Sequence, residues 1–278
     1  MLRWRNRFSA NKRGSDRPAR AALPARDKRL EAALAADEIA IRFQPQIDPA
    51  TGRILGVEAL ARWADVASPE ALFERAASGG LTERLSRTIQ RKALRLVGQW
   101  QGALGDLTLS INVLPQDLDR PGFDSWLLGE IALAGLDPRR ITVEIIESAL
   151  LLDRPAVAGR LDSLRARGVR IAVDDFGTGY ANLAYLTSLP LDAIKIDRAM
   201  VADLVGRERD RIVVKAMISM ARELGLKVVV EGVESVAQLE LIAEWGVDLY
   251  QGFLGAGALD VVELARFVTA NEALADAA

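Results

Sequence analysis

Ile171-Ala-Val-Asp-Asp-Phe-Gly-Thr-Gly-Tyr180 is an apolar strand pattern that runs into two adjacent carboxylates and a glycine-containing turn. Side chains alternate along a strand, so we expect Asp174 and Asp175 to point in different directions and to reach two metal ions, or one metal ion and one proton. Glycine at positions 177 and 179 allows the backbone angles of a tight loop. An isolated Asp-Asp pair is more often a turn with solvated aspartates, and the rest of the chain decides between these interpretations.

Two residue types that often carry catalysis are missing, because the chain has no histidine and no cysteine. This composition removes the usual general base, the usual zinc ligands and the thiol nucleophile. Catalysis would depend on carboxylates, amides and lysine, and such oxygen ligands suit Mg²⁺, Mn²⁺ or Ca²⁺ rather than zinc or copper. A chain without cysteine has no disulfide framework, which fits a reducing compartment, and we expect a cytoplasmic protein.

Positive charge is concentrated at the amino terminus. Residues 1–30 contain ten Lys or Arg and two Asp, whereas the whole chain of 278 residues has a net charge of −2. We predict a basic, disordered segment over residues 1–30, either a leader or the remnant of a linker, and a folded domain over residues 31–278. Contact of the basic segment with anionic lipid, nucleic acid or a partner protein is an open alternative, although a nucleic-acid partner is not expected. The sequence has no signal-peptide core and no apolar run of about 18 residues that could span a membrane.

From about residue 30 onward, short apolar β-like runs alternate with longer amphipathic stretches. This alternation is typical of βα units around a parallel sheet. The eight strand candidates are Ile39–Gln46, Ile54–Arg62, Leu107–Val113, Ile141–Ile146, Val169–Asp174, Ala193–Ile196, Lys227–Glu231 and Asp248–Gly252. The clearest helix candidates are Glu83–Trp100, Ala156–Arg167, Arg209–Leu224 and Val236–Trp245.

The connection between the first two strands is short. Residues 47–53 contain Asp-Pro-Ala-Thr-Gly, a hairpin signal, and are too few for a crossover, so the first strand should be antiparallel to the second. Eight mostly parallel strands in about 240 residues predict an α/β fold, a (β/α)8 TIM-like barrel with an antiparallel first strand. An open doubly wound sheet is the alternative, but no Gly-x-Gly-x-x-Gly follows an early strand.

Polar side chains occur inside or beside seven of the eight apolar runs. A buried charge is costly unless it is paired or bound to metal, and barrel enzymes carry their chemistry where strands end and loops begin. Any one of these residues could belong to a structural ion pair, but so many of them favour a shared site. They are Glu58, Arg62, Asn112, Glu144, Glu147, Asp174, Asp175, Lys195, Glu231 and Gln251.

Eight short motifs follow one another along the body of the chain. They are Phe43-Gln44-Pro45, Glu58-Ala59-Leu60-x-Arg62-Trp63, Ile111-Asn112-Val113, Val143-Glu144-x-x-Glu147, Asp-Asp-Phe-Gly-Thr-Gly-Tyr at 174–180, Ile194-Lys195-Ile196-Asp197, Glu231-Gly232-Val233-Glu234 and Gln251-Gly252-Phe253. A lone Glu-Ala-Leu occurs by chance in an alanine-rich chain, but eight motifs in order and at compatible spacing are specific. Over about Ala36 to Phe267, the chain resembles the EAL domains, the phosphodiesterases specific for cyclic di-GMP.

This resemblance implies a barrel with an antiparallel first strand and a two-metal hydrolysis of cyclic di-GMP to linear pGpG, which lowers the second messenger in bacterial signalling. Mg²⁺ or Mn²⁺ would be the cofactor, and Ca²⁺ is expected to bind and inhibit. Two divalent cations need about four negative charges near them, which the ligand set supplies. The ligands implied for the first metal are Glu58, Asn112, Glu144 and Asp174, and those for the second are Asp174, Asp175 and Glu231.

The resemblance also implies roles for other residues. Lys195 would contact the attacking water and act with Glu58, Asp175 and Glu231 in catalysis. Glu147 would anchor the loop over 176–180 and, with Glu234, support the metal site. In the family this loop couples dimer contacts to catalysis, so a homodimer is expected. The residues implied for holding the substrate are Gln44, Leu60, Arg62, Asp197 and Gln251, with Arg62 suited to a phosphate oxygen.

The chain departs from the family pattern outside the ligand set. Turnover could therefore be slow or dependent on dimerisation. The alternative function is a weak or inactive EAL domain that acts as a cyclic di-GMP receptor or a protein-interaction module. Such members usually lose the glutamate of the Glu-Ala-Leu motif or one of the paired aspartates, and this chain retains both. The departures are Ala77, Leu114, Ile146, Ala181, Asn182 and Ala258.

Overall fold

The computed structural model describes residues 27–147, 154–178 and 184–275. Within them, eight strands close into a barrel in chain order, with helices outside, which confirms the predicted fold. The strands are β1 (Ala40–Ile47), β2 (Ile54–Arg62), β3 (Thr108–Val113), β4 (Ile141–Ile146), β5 (Arg170–Phe176), β6 (Ala193–Ile196), β7 (Lys227–Val230) and β8 (Leu249–Tyr250). The helices are α1 (Lys28–Ala35), α2 (Pro69–Ser78), α3 (Thr82–Val97), α4 (Pro115–Asp119), α5 (Phe123–Leu133), α6 (Arg154–Ala166), α7 (Ala184–Ser188), α8 (Arg198–Val201), α9 (Glu208–Glu223), α10 (Val236–Glu244) and α11 (Val261–Ala275).

The hairpin at the start of the barrel is also confirmed. β1 pairs antiparallel with β2 and β8, whereas the other neighbouring strands pair parallel. In its turn, the Asp48 carboxylate accepts the backbone N–H of Ala50, and Gly52 has a left-handed φ of 69°, which glycine adopts without steric cost. Because Ala40 lies opposite Arg62, the amino-terminal half of β1 lies beside the carboxyl end of β2.

The outer helices bury one face each against the barrel. In α10, Ser235 and Gln238 form a capping box that satisfies backbone N–H groups at the helix start. None of the described helices is long and apolar enough to cross a membrane. The apolar residues that α3 buries recur at the spacing of one helix face: Leu85, Ala93, Leu94 and Val97.

The main apolar core lies between the barrel and its helices. Outward-facing strand residues such as Ile111 and Val143 are buried there. A second apolar cluster joins α1 and α2 to the end of β2 through Leu30, Leu72 and Trp63. The barrel interior at the carboxyl ends of the strands instead holds polar side chains. Because side chains alternate between the two faces of a strand, the apolar core lies outside the barrel wall and the polar groups lie inside it.

Helix α1 begins inside the segment predicted as residues 1–30. The Asp27 carboxylate accepts the backbone N–H of Leu30 and caps the helix, and Leu30 is fully buried. Residues 27–30 therefore pack with the body. Residues 1–26 lie outside the described residues, and the disorder of the basic segment stays a prediction.

The strand boundaries agree with the predicted ones to within two residues. β5 continues through the paired aspartates to Phe176, and β8 contains only Leu249 and Tyr250. The long β5 matters most for function, because both aspartates belong to the strand, with Asp174 half-buried and Asp175 exposed.

Candidate active site

The predicted polar side chains meet inside the barrel, at the carboxyl ends of its parallel strands. Neighbouring strands bring them level with one another: Glu144 lies beside Asn112, and Gln44 of the antiparallel β1 lies beside Glu58. Glu58, Glu144 and Lys195 are each flanked by apolar residues that point the opposite way, toward the helices, so local sequence directs them inward. The side chains that converge are Glu58, Asn112, Glu144, Asp174, Asp175, Lys195, Glu231 and Gln251.

Lys195 lies at the centre of this group and is 1% exposed. Its Nζ is 2.7 Å from Glu231 Oε1, 2.8 Å from Glu144 Oε2, and 3.2 Å from both Glu58 Oε2 and Asp174 Oδ1. An ammonium group has only three N–H donors, so it cannot satisfy four carboxylates at once. Asp174 Oδ1 is the group left over: it lies within ion-pair distance, yet it is buried and accepts no hydrogen bond from the described residues.

The carboxylates keep Lys195 charged. Burial alone would lower the pKa of its amine, but Asp174, Glu144, Glu231 and Glu58 together raise that pKa well above its ordinary value. A buried ammonium is tolerated because its neighbours are anions. Lys195 is therefore a hydrogen-bond donor in this state and not a general base.

The carboxylates in turn carry more negative charge than one ammonium can balance. Burial, followed by the Glu58 charge, raises the pKa of Glu144 well above its usual range. Burial likewise raises the pKa of Glu231 to about 8, and burial with the Asp174 charge raises that of Asp175 to about 6. Glu58 keeps a lowered pKa because Lys195 and two amide donors outweigh its burial. Added positive charge would relieve the repulsion among these groups.

Three of the carboxylates are arranged as a cation site. Oxygens of Asp174, Asp175 and Glu231 lie within 4.8 Å of one another. Glu58 and Asn112 add further oxygen donors beside them and are joined by a 2.7 Å hydrogen bond. Carboxylate and amide oxygens are the ligands that hard divalent cations prefer, so the donor set fits Mg²⁺ or Mn²⁺.

The paired aspartates turn to the same side of β5, so the expectation that they point in different directions was wrong. The β5–β6 pairing shifts register between Val173 and Phe176, and Asp174 and Asp175 together lie opposite Lys195. Asp175 has a left-handed φ of 56°. A β-bulge of this kind places an extra residue in one strand and redirects its side chain, which brings the two carboxylates together.

Two amide side chains fix the carboxylates in place. Asn112 and Gln251 each donate a hydrogen bond of 2.7 Å to Glu58, to different oxygens. Gln251 also donates to Glu231 Oε1 at 3.2 Å. Gln251, predicted to hold substrate, is thus part of the buried network and joins β8 to β2 and to the residue that follows β7.

Among the buried polar residues that the sequence analysis missed, Gln46 and Ser110 are the pair bonded to the site through Gln251. Gln46 Nε2 donates to Gln251 Oε1 and to Ser110 Oγ, both at 3.3 Å, and both residues are 3% exposed. The sequence spacing could have identified them. Gln46 lies two residues after Gln44 and Ser110 two residues before Asn112, so each shares a strand face with a residue already predicted for the site. They form a layer beneath the carboxylates.

The other residues predicted to hold substrate lie around the mouth of the barrel. Arg62 is half-buried at the end of β2, its Nη1 donates to the Ala61 carbonyl at 2.8 Å, and burial lowers its pKa. Gln44 Nε2 donates to the Ala256 carbonyl at 3.3 Å. Leu60 is half-buried on β2. Asp197 caps α8, since its Oδ1 accepts the backbone N–H of the second residue of that helix at 2.8 Å.

Glu147 and Glu234 occupy different surroundings. Glu147 follows β4 and is 7% exposed. Glu234 is exposed just before α10. Positions 179–182, which include the departures at 181 and 182, lie outside the described residues, so the anchoring of the 176–180 loop by Glu147 stays a prediction.

Comparison with known proteins gives one family. A family model described as the EAL domain matches residues 27–258. The chain is 33% identical over 249 residues to the cyclic di-GMP phosphodiesterase NbdA of Pseudomonas aeruginosa, and this match covers 88% of the chain and 32% of the relative. The chain spans about a third of the length of the curated relatives it matches.

Solved structures share the barrel. The PaMucR phosphodiesterase in complex with c-di-GMP is 31% identical with a TM-score of 0.79, over 84% of this chain and 97% of that one. Klebsiella pneumoniae BlrP1 in a manganese and cyclic di-GMP complex is 31% identical with a TM-score of 0.73, over 80% of this chain and 56% of that one. The calcium and cyclic di-GMP complex of BlrP1 is 28% identical with a TM-score of 0.73, over 88% of this chain and 68% of that one.

Proposed function

The chain belongs to the EAL domain family, and from that membership we propose that it hydrolyses one phosphodiester bond of cyclic di-GMP to give linear pGpG. One observation carries the proposal: a buried lysine held by four carboxylates, with a fifth carboxylate beside them, at the carboxyl ends of a barrel. Relatives named as cyclic di-GMP phosphodiesterases, and neighbours solved with that nucleotide, support the choice of substrate. The activity would lower this messenger in bacterial signalling.

Mg²⁺ or Mn²⁺ is the proposed cofactor. The residues that would hold it are Glu58, Asn112, Glu144, Asp174, Asp175 and Glu231. The raised pKa values of Glu144, Asp174, Asp175 and Glu231 indicate a place for added positive charge. Bound divalent cations would neutralise phosphate charge and make an attacking water acidic near neutral pH. Ca²⁺ would occupy the same oxygens but inhibit, because its larger and more variable coordination does not hold the attack geometry.

The chain's own residues would position the reactants. Lys195, which retains its proton, would donate hydrogen bonds to the attacking water or to a phosphate oxygen and hold it in line. Arg62 at the mouth offers a guanidinium to the phosphate that is not cleaved. Gln44, Leu60 and Asp197 line the same end of the barrel and would contact the rest of the nucleotide.

A homodimer in the cytoplasm completes the proposal, with α9 as the contact between copies. Ile212 and Val213 on α9 and the preceding Val205 are 61%, 45% and 47% exposed. Val213 lies four residues before Met217 and therefore beside it on the helix. A methyl group added at Gly177, in the turn after the paired aspartates, would lie 2.7 Å from Met217 Cε. The exposed apolar face thus connects to the catalytic turn through one layer of side chains.

The test is incubation of the protein with cyclic di-GMP and Mg²⁺ or Mn²⁺, followed by chromatography for pGpG. We expect product with either ion, none in excess EDTA, and inhibition by added Ca²⁺. Glu58→Gln is the matched control, because it keeps a group of the same size but removes a charge that the cations need. Binding of cyclic di-GMP without any product would show the receptor function instead, and turnover in EDTA would contradict the metal dependence.

A further inference from the structure

A cavity of about 340 Å³ opens at the opposite end of the barrel, where the parallel strands begin. Its inner walls include the small residues Ala172 and Ala193 and the hydroxyl side chains of Thr108, Ser110 and Thr142. Barrels of this kind usually fill their interior with layers of large branched side chains. The small residues here leave the amino-terminal end of the interior open.

Arg170, the first residue of β5, lines this cavity. Its guanidinium makes no hydrogen bond or ion pair within the described residues, and its Nε is shielded from solvent. The nearby Asp192 carboxylate is already engaged, because Oδ1 pairs with Arg165 at 2.9 Å and Oδ2 accepts the backbone N–H of Ile171 at 3.0 Å. Arg170 is therefore a half-buried cation whose neighbouring anion serves other groups.

Such a cation needs an acceptor. A guanidinium stays protonated in proteins, so it cannot escape the cost of burial by losing its charge. Burial lowers the pKa of Arg170, and the attraction of Asp192 offsets this only in part. Lys227, the exposed first residue of β7, adds positive charge at the same mouth. The mouth is thus positive, whereas the far wall of the cavity reaches Glu144 and Lys195.

We propose that this cavity binds a small anion, a carboxylate or a phosphate group held by the Arg170 guanidinium. The planar fork of an arginine matches either group with two parallel hydrogen bonds. The anion would lie near the mouth, because Glu144 at the inner end would repel it. The cavity is within the size range of small-molecule sites, about 300–1,000 Å³, so the anionic group could belong to a small organic molecule. This site lies at the other end of the barrel from the proposed catalytic site and does not depend on that assignment.

The probes are inorganic phosphate and acetate. They are titrated into the metal-free protein at constant ionic strength and followed by isothermal calorimetry and thermal unfolding. Absence of divalent metal keeps the probes from binding through the carboxylate cluster. Arg170→Met removes the cation but keeps much of the side chain, and Arg170→Lys keeps charge without the fork. Arg139→Met is the matched control at the same end of the barrel, since Arg139 is exposed and already pairs with Asp137 at 3.0 Å. Arg62→Met reports any binding at the other mouth.

We expect saturable binding of at least one probe. Arg170→Met should weaken its affinity about tenfold or more, because a charge-assisted hydrogen bond is lost. Arg170→Lys should bind with intermediate affinity, and the Arg139 and Arg62 variants should bind as the unmodified protein does. A preference for phosphate over acetate, or the reverse, identifies the chemical class. Without added anion, Arg170→Met should be at least as stable as the unmodified protein, because a half-buried charge without an acceptor is removed. Equal binding by Arg170→Met, no binding of either probe to the unmodified protein, or an anion-independent loss of stability in Arg170→Met would overturn the proposal.

Discussion

At the scale of the residue, Lys195 determines the charge state of the whole cluster. Among the described residues it is the one cation beside four carboxylates within 3.2 Å, and their attraction keeps its proton in place. Replacing a partner of a buried ion pair leaves the other charge without compensation, which costs more than the pair itself contributes. Lys195 therefore has two separable effects, one on the stability of the metal-free barrel and one on the reaction.

Lys195→Met tests both effects. We expect turnover to fall by about 100-fold or more because the positioned donor is lost, and the metal-free protein to lose about 3 kcal/mol of unfolding free energy. Added Mg²⁺ should restore part of that stability, since cations can replace the missing charge, but not the turnover. Urea unfolding with and without Mg²⁺ measures the effect on stability, and the rate of pGpG formation measures the effect on the reaction. Lys28→Met at the exposed start of α1 is the control. Full activity in Lys195→Met would rule out its role in orienting the water.

The raised pKa of Asp175 predicts that the stability and the metal affinity of the protein depend on pH. Its pKa is raised to about 6 in the folded protein by burial and by the Asp174 charge, against about 3.9 for an unperturbed aspartate. The folded metal-free protein then binds this proton more tightly than the unfolded chain does. The free energy of unfolding therefore falls as pH rises from about 3.9 to about 6. A divalent cation requires the ionised form, so metal affinity should rise across the same window.

The measurement compares Asp175→Asn with the unmodified protein at about pH 4 and pH 6.5, on either side of the shifted pKa. Between these pH values and without metal, the unmodified protein should lose more unfolding free energy than Asp175→Asn does. Its Mn²⁺ affinity should also rise more steeply than that of Asp175→Asn. Carboxylates remote from Asp175 contribute equally to both proteins, so the difference reports Asp175 together with its coupling to neighbouring carboxylates. Parallel pH profiles would mean that Asp175 titrates normally.

At the scale of the element, the end of β5 and the turn after it are the least regular part of the site. The bulge at the paired aspartates shifts the β5–β6 register, and Gly177 follows with a left-handed φ of 97°. The turn packs against Met200 and Met217, which belong to α8 and α9. The direction of the paired aspartates is thus set by a strand irregularity and by two helices outside the barrel.

Gly177→Ala should disturb this element while leaving the barrel folded. Its new methyl would lie 2.7 Å from Met217 Cε, a flexible group that can shift, but the left-handed backbone itself costs about 1–2 kcal/mol for a residue with a Cβ atom. We expect reduced stability and a marked fall in turnover, and Met217→Ala should relieve only the steric part. Gly129→Ala is the control, because Gly129 lies in α5 with nothing within 4 Å of an added methyl, and alanine there should be neutral or stabilising. Unchanged turnover in Gly177→Ala would show that the turn tolerates other conformations.

At the scale of the whole molecule, the barrel and the convergence of polar side chains at one of its ends could be predicted, because apolar runs with one polar inward residue are a local signal. Glu58 and Lys195 stand out against their neighbours without any knowledge of contacts. The bulge that turns Asp175 could not be predicted, since it depends on how β5 meets β6. The cavity at the amino-terminal end could not be predicted either, because it forms where small residues from several strands meet in space. In the sequence, Arg170 looks like any polar residue at the start of a strand. It differs from such a residue because its guanidinium has no acceptor within the described residues.

The assembly of the molecule gives the last prediction. If two copies associate through α9, then Ile212→Glu should place charges in that contact, weaken self-association and lower turnover per protomer, because Met217 links this face to the turn after the aspartates. Specific activity of the unmodified protein should then rise with protein concentration, while Ile212→Glu should stay low throughout the dilution series. Leu133→Glu on α5 is the matched control, since Leu133 is 84% exposed and lies on another helix. Sedimentation of the three proteins gives the oligomeric state. Constant specific activity from a monomer would refute the coupling, whereas a dimer that Ile212→Glu leaves intact would place the contact on a different surface.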